Sequence, residues 1–265
     1  HLEQQMPPVS RWGTEIVMGR SEKRDQELDH YRVVASRDGT TVTITTGGQD
    51  ASVTLSKGEF HAFSSDHSVT VTADFPVLVA QFLASANEVI VQGPCDTAAD
   101  CGEAYVCECF VGTECAQTVC LEKPCDPTSI ADPCGPGYTC MEKLSAPGDG
   151  PVCYPLGDPA MILGVPTEQW QDTFVFLVPE HYKVDYVNVV TPSSATLTLD
   201  GAVVPAASIQ PVTGTNYGLY RAEVVDGVHT LKASEPVSLV VYGYDGAVSY
   251  GYPGAMGLKE LDQPQ

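Results

Sequence analysis

The sequence predicts an all-β protein: two duplicated β-sandwich-like lobes with a small disulfide-rich, loop-rich insert between them. Three observations carry that expectation. Short β-branched and aromatic runs punctuated by glycine and proline recur along the 265 residues, and runs of helical period are scarce. All ten cysteines fall in one stretch, residues 95–153, and none lies outside it. The segments before and after that stretch repeat the same landmarks in the same order.

The first lobe is assigned to residues 1–93. MPPVSRWG gives a Pro-rich entry ending in Trp12, and Thr14 to Met18 alternate as a strand. RSEKRDQELDH (20–30) reads as an exposed charged loop. YRVVAS (31–36) and TTVTITT (40–46) flank Arg37-Asp38-Gly39, a hairpin signal because glycine supplies the positive φ of a tight turn. The turn GGQD (47–50) leads to ASVTLS, then EFHAFSS, HSVTVTA and PVLVAQFL, about seven strands in all. Val69, Val71 and Ala73 alternate with Ser68, Thr70 and Thr72, the period of a sheet with one buried face.

The second lobe, 157–265, repeats this order. Pro8-Val9-Ser10-Arg11-Trp12 is matched by Pro166-Thr167-Glu168-Gln169-Trp170, and YRVVASRDGTTVTI (31–44) by YVNVVTPSSATLTL (186–199). HSVTVTADFPVLVAQF (67–82) is matched by HTLKASEPVSLVVYGY (229–244). One order held at a nearly constant offset points to an internal duplication. Pro76 and Pro236 are placed at the start of an apolar strand, where no ladder donor is required. Trp12 and Trp170 are expected to plug the core at the same place in each lobe. VVYGYDGAVSYGYPGAMG (240–257) forms a hairpin about Asp245-Gly246; its tyrosines are read as packing residues, with a docking face as the alternative.

The insert, 94–156, holds Cys95, Cys101, Cys107, Cys109, Cys115, Cys120, Cys125, Cys134, Cys140 and Cys153. An even count at short spacings fits disulfides formed in an oxidising compartment. Large apolar residues are sparse here, so burial alone cannot hold the segment, and covalent links of about 2–4 kcal/mol each must. The spacing divides it into a six-cysteine unit (95–120), whose pairing stays open, and a four-cysteine unit (125–153). Zinc is not expected, because Cys107-x-Cys109 lacks the C-x2-C spacing and the stretch has no histidine. Asp96, Asp100, Glu103 and Glu108 are the oxygen donors a Ca²⁺ site would draw on, but no D-x-D-x-D-G loop accompanies them. No metal or cofactor is assigned.

A formal net charge of −21 argues against nucleic acid as a partner, since a polyanion is bound by a basic surface. The longest apolar stretch, FPVLVAQFLASA (75–86), is too short to span a bilayer. The start, HLEQQMPPVS, has neither a basic n-region nor an apolar run, so the chain reads as the mature or excised portion of a secreted or surface protein. None of the six histidines stands in a G-x-S-x-G or H-E-x-x-H context, and His61 and His67, on or beside strands, read as structural. No catalytic residue is assigned and no enzyme is expected.

YRVVASRDGTTVTI, LSKGEF, VTADFPVLVAQF, GDPAMILGVPTEQW and VVYGYDGAVSYGYPG together resemble the IgG Fc-binding protein N-terminal domain family, in a bacterial, myxobacterial-type secreted member with a disulfide-rich insert. The resemblance implies an extracellular, non-catalytic binding or adhesion module that recognises a protein or glycan at a cell surface. It supplies no Fc-contacting motif to place on this chain, so immunoglobulin binding is not among its implications. A structural subunit of an extracellular filament or sheath, paired with copies of itself through strand edges, is the alternative. PCGPGYTC resembles an EGF-like module and implies the pairs Cys125–Cys140 and Cys134–Cys153. Gly157-Asp158-Pro159-Ala160 resembles the Gly-Asp-Pro-His self-cleavage motif of von Willebrand D modules. Ala160 replaces its histidine, so no autoproteolysis is expected.

Overall fold

A computed structural model describes residues 5–24, 27–86, 105–109, 118–129, 134, 137–142, 150–259 and 261, with the backbone alone for 105–109 and 118–122. Six strands precede the insert: β1 (Gly13–Met18), β2 (Asp29–Ala35), β3 (Thr40–Thr46), β4 (Gln49–Leu55), β5 (Phe60–Ser65) and β6 (Val69–Phe82). The insert carries two hairpins, β7 (Tyr105–Cys109) with β8 (Thr118–Glu122) and β9 (Tyr138–Glu142) with β10 (Pro151–Pro155). After them come β11 (Met161–Leu163), β12 (Gln171–Val178), β13 (Val184–Pro192), β14 (Leu197–Leu199) and β15 (Ala202–Val203). The chain continues through β16 (Ile209–Pro211), β17 (Tyr217–Val224), β18 (Gly227–Asp245) and β19 (Val248–Pro253).

Each lobe is built on one long strand that passes between two layers. In the first, Val69–Ala73 of β6 pair with β3 and β1, while Val77–Phe82 pair with β2 and β11. The sequence reads these as two strands; the structure makes them one, bent where Asp74, Phe75 and Pro76 leave the ladder. Pro76 therefore stands inside the strand at the bend, not at a strand start; its carbonyl accepts from the Ser36 amide at 3.2 Å, and the ladder of β2 with β6 ends there, where its ring nitrogen has no proton to give. The second lobe reproduces this device. Gly227–Ala233 of β18 pair with β12 and β14, Val237 pairs with Gln171 of β12, and Ser238–Asp245 pair with β13 and β19, with Pro236 at the bend. Even the irregularity repeats: the register shift between Gly13 and Glu15 opposite β6 recurs between Gln171 and Thr173 opposite β18. The fold is thus two duplicated β-sandwich-like lobes.

Strand β11 follows the insert, yet it completes the first lobe. Met161, Ile162 and Leu163 pair with Phe82, Gln81 and Ala80, the place that β19 fills beside β18 in the second. The division at residue 157 cuts across this pairing. β11 is only three residues long, too short to betray its partner by pattern.

The first core gathers Ile16, Met18, Val33, Val42, Ile44, Val71 and Val79, and the second Phe174, Phe176, Val187, Val189, Leu231 and Val241. Tyr242 and Tyr244 belong to the second lobe's β18 but pack, fully enclosed, on the first core beside Leu156 and Ile162. The second layer of lobe two is therefore covered on both sides. That explains the near-continuous apolar runs of β13 and β18, where a half-exposed sheet would alternate. Of the hairpin tyrosines that sequence offered as packing residues or a docking face, Tyr242 and Tyr244 are spent on this seam, Tyr242 stacking on Tyr186 at 5.5 Å and meeting Tyr244 edge-on, while Tyr250 and Tyr252 stay half-buried against the second core. Gly251 lets β19 approach β11, since a Cβ there would stand 2.6 Å from Ile162 Cδ1.

Neither tryptophan lies in a lobe core. Each follows a 3-10 turn and donates its indole N–H five residues back, Trp12 to Pro7 O at 2.9 Å and Trp170 to Val165 O at 3.0 Å. Trp12 packs half-buried beside Leu78, Ala80 and Leu163, while Trp170 is buried with Val17, Val190, Val212 and Leu219 where the lobes meet.

In the four-cysteine unit, the Cα atoms of Cys125 and Cys140 lie 5.9 Å apart and those of Cys134 and Cys153 5.3 Å apart, each pair joined by a disulfide. Cys107 lies opposite Cys120 in the β7–β8 register. Cys95, Cys101 and Cys115 lie outside the described residues, as do the weighed Ca²⁺ donors Asp96, Asp100 and Glu103. The unit is docked rather than free, since Lys183 Nζ donates to Tyr138 O at 2.5 Å and Leu156 bridges to Gly246. Dithiothreitol is expected to loosen residues 125–153 and spare most of the β signal in circular dichroism, because no strand of either lobe contains a cysteine. Loss of the whole signal would show that the docked unit holds the lobes together.

Candidate interlobe binding site

The seam between the lobes is organised by a segment the sequence assigned to an exposed loop. Residues 20–30 are charged, but Arg20, Ser21, Glu27 and Asp29 are buried. Asp29, with no exposed surface, accepts from Arg20 Nη1 (2.6 Å), the Ser21 amide (2.8 Å), Ser21 Oγ (2.6 Å) and Gln81 Nε2 (2.6 Å). Arg20 also donates to Glu27 O at 2.6 Å. Burial works against the guanidinium charge, but Asp29 and Glu27 outweigh it and hold Arg20 protonated, its pKa raised. Every formal charge here has a partner, which is the condition for burying one.

This knot reaches across to the second lobe. Asn188 donates to Arg20 O at 2.9 Å, and its Oδ1 accepts from Arg221 Nε at 3.1 Å and Tyr242 OH at 3.2 Å. Arg221 forms an ion pair with Glu22 at 2.7 Å and also donates to Arg20 O. Arg24 donates to Leu156 O and to Ala84 O (2.7 Å), and its guanidinium lies 4.6 Å over the Tyr244 ring. The register explains why these residues meet: Asn188 stands opposite both Arg221 of β17 and Val240 of β18, so their side chains share the face turned to lobe one.

Two grooves flank the clamp. The first, about 360 Å³, runs between Lys23, Gly47, Asp66 and His67 on one side and Gln210, Thr213 and Arg221 on the other. Two contacts tie its side chains together, His67 Nδ1 2.6 Å from Asp66 Oδ1 and Arg221 held by Glu22. The second groove, about 480 Å³, has a floor set by register. Thr72 of β6 lies opposite Glu15 of β1, and Thr70 opposite both Val17 of β1 and Thr45 of β3. These residues share the outer face of the first lobe, the hydroxyl side of the alternation read in HSVTVTA. Pro192 and the β16–β17 turn, Gly214 to Tyr217, form its wall. The grooves are separated where the two turns touch: a Cβ on Gly214 would stand 3.4 Å from Gly48 Cα.

Glu15 Oε2 accepts from Thr167 Oγ1 at 3.1 Å and Tyr217 OH at 3.2 Å. Burial, and then the Glu15 carboxylate beside it, push the Tyr217 phenol up to about 12, so it stays a donor. Thr70 is buried, and its Oγ1 has no hydrogen-bond partner among the described residues. Sequence reasoning assigned none of these groove residues to a binding site. The signal for Thr70 and Thr72 was present in the period-two threonines; Glu15 and Tyr217 gave none, because they meet only through the packing of the lobes.

His229 keeps a structural role, between Asp200 Oδ2 at 2.7 Å and Val225 O at 2.7 Å, stacked on Phe176. Burial alone would lower its pKa, but these two bonds outweigh it and raise it above 6.5. A raised folded-state pKa contributes stability that is full below the unfolded value and lost as pH rises through the folded one. His229→Gln is expected to lower Tm more near about pH 5.5 than near about pH 8.5. Equal losses at both would show a neutral imidazole.

A duplicated β-sandwich pair, clamped by buried charges about two polar grooves, is the frame of a binding module. The chain belongs to the IgGFc binding protein family, whose match covers residues 1–102 and 143–243 and skips only the middle of the insert and the C-terminal residues. That is the family its motifs resembled. No curated protein matches. Among solved structures the chain is similar to an anti-sigma factor domain-containing protein from Clostridium clariflavum at 14% identity, covering 92% of this chain and 84% of that one, with a TM-score of 0.22. It is also similar to a lectin from Pleurotus ostreatus in complex with GalNAc at 9% identity, covering 96% and 85%, with a TM-score of 0.24. Likenesses at this level carry no argument about fold or function. Among the described residues, no helix is long and apolar enough to cross a membrane.

Proposed function

We propose that this chain is a non-catalytic adhesion module, displayed outside the cell, that recognises a protein or glycan partner through the seam between its lobes. The observation that carries the reading is the clamp. Asn188, Arg221 and Tyr242 of one lobe hold the backbone of residues 20–22 of the other, so the two grooves keep a fixed shape before any partner arrives. Preorganisation of this kind spares a binder the entropic cost of closing its own site. Family membership supports a binding role, and the disulfide-linked unit fits an oxidising compartment. The purified chain, immobilised and exposed to cell-surface extracts and a glycan array, is expected to retain a partner that competes with free chain. Retention of nothing on either surface would sink the proposal.

A filament subunit is the second reading, and one observation favours it. β12 pairs only with β18 among the described residues, and Val175, Leu177 and Val228 lie exposed on that sheet. Electron microscopy at high concentration separates the readings, since an adhesin stays particulate and a filament subunit forms regular polymers.

A further inference from the structure

We infer that the larger groove takes the hydroxyl groups of a neutral monosaccharide unit, with Glu15, Thr70 and Tyr217 as its polar contacts. The inference rests on the binding-module reading and gives it a ligand class and a site.

The groove's volume, about 480 Å³, lies within the usual range for small-molecule sites, about 300–1,000 Å³. Its donors and acceptors are mixed in a way that suits hydroxyls, each of which both gives and takes a hydrogen bond. The Glu15 carboxylate only accepts. Its Oε2 takes bonds from Thr167 and Tyr217, which fix the side chain, and no bond to Oε1 is formed among the described residues. Thr72 and the Asn216 amide, both exposed at the rim, can donate and accept.

The second, independent observation is Thr70. It is 6% exposed, lines the groove, and buries a hydroxyl that bonds to nothing among the described residues. Buried polar groups are nearly always satisfied, so such a group in a groove calls for an explanation, and a ligand hydroxyl reaching the floor is one. Thr45, beside it in the register, is not a substitute, because its hydroxyl is committed to Asp50 at 2.7 Å.

Charge selects among sugars. Glu15 lines the groove and Glu168 lies behind Thr167, whose hydroxyl is within reach of both carboxylates. The whole chain carries −21. An anionic sugar would meet like charge at close range, and a neutral one would not. A peptide is disfavoured by the floor itself, which offers threonines and a carboxylate where a protein contact would want a buried apolar or aromatic anchor.

The test uses the full chain and a panel of methyl α-mannoside, methyl α-glucoside, methyl β-galactoside and N-acetylglucosamine, with glucuronate as the anionic control. Binding is read by saturation-transfer NMR and by the fluorescence of Trp170, whose ring lies 5.3 Å from Tyr217. At least one neutral sugar is expected to bind saturably, and glucuronate is not. Thr70→Val and Glu15→Gln should each weaken that binding about tenfold or more, the loss expected for a buried or charge-assisted hydrogen bond. Thr70→Val should leave Tm unchanged or raised, because it removes an unsatisfied hydroxyl at constant shape, so a folding defect cannot imitate the result. Failure of every neutral sugar to bind, or binding indifferent to both variants, would overturn the inference. A partner still retained from extracts or the array in that case would leave the binding module standing without this site.

Discussion

Arg20→Met is expected to destabilise the protein by about 3–5 kcal/mol, the usual cost of removing one partner from a buried ion pair. The loss falls on what remains. Asp29 keeps its Ser21 and Gln81 donors but becomes an uncompensated anion with no exposed surface, and Glu27 O loses the Arg20 donor. Against a typical total of about 5–15 kcal/mol, that is about a fifth of the stability or more. Guanidinium unfolding should show a lower midpoint at unchanged m-value. Adding Asp29→Asn removes the stranded charge and keeps acceptor capacity, so the double variant should recover part of the loss. A change under about 1 kcal/mol for Arg20→Met would mean that water reaches the pair and that the knot resembles an ordinary surface ion pair.

The same knot shows where sequence and structure part. Strand positions were legible because period-two alternation is local: TTVTITT and ASVTLS do pair across the Gly47-Gly48 turn. Arg37-Asp38-Gly39 does turn the chain, with Gly39 at a positive φ of 72°, but the hairpin expected there does not form: β6 lies between β2 and β3, so β2 pairs with β5 and β6 and β3 with β4 and β6. The duplication was legible because it recurs at one offset. The burial of RSEKRDQELDH was not, because the groups that compensate its charges are distant in sequence. Arg221 and Asn188 lie about 170–200 residues from Arg20, and nothing in a charged run announces partners so far away. The long strands failed to read as single units for a related reason. A proline ordinarily ends a strand, and only a change of partners at Asp74–Pro76 makes it harmless inside one. The groove was half legible: its threonine floor follows from alternation, while its Tyr217 wall depends on how one lobe leans on the other.

Trp170→Ala is the change expected to separate the repeated tryptophans, which sequence treats as equivalents. Both sit after the same turn and make the same N–H bond five residues back, so the local motif predicts equal losses. The surroundings predict otherwise. Trp170 is buried among Val17 and Val165 of the first lobe's side and Val190, Val212 and Leu219 of the second, with Tyr217 at its edge, so truncation opens a cavity in the seam and should cost about 3–5 kcal/mol. Trp12 is half-buried against a smaller cluster of Leu78, Ala80 and Leu163, where water can fill what the ring leaves, and its loss should be no more than about half as large. The melting profile carries a second readout. Because Tyr242 and Tyr244 carry one core into the other, Trp170→Ala should move a single transition rather than split it into two. Equal destabilisation by the two alanines would show that each tryptophan serves only its own turn. A split transition would show that the lobes fold apart, and that the clamp at Arg20 and Arg221 is too weak to hold the grooves in shape.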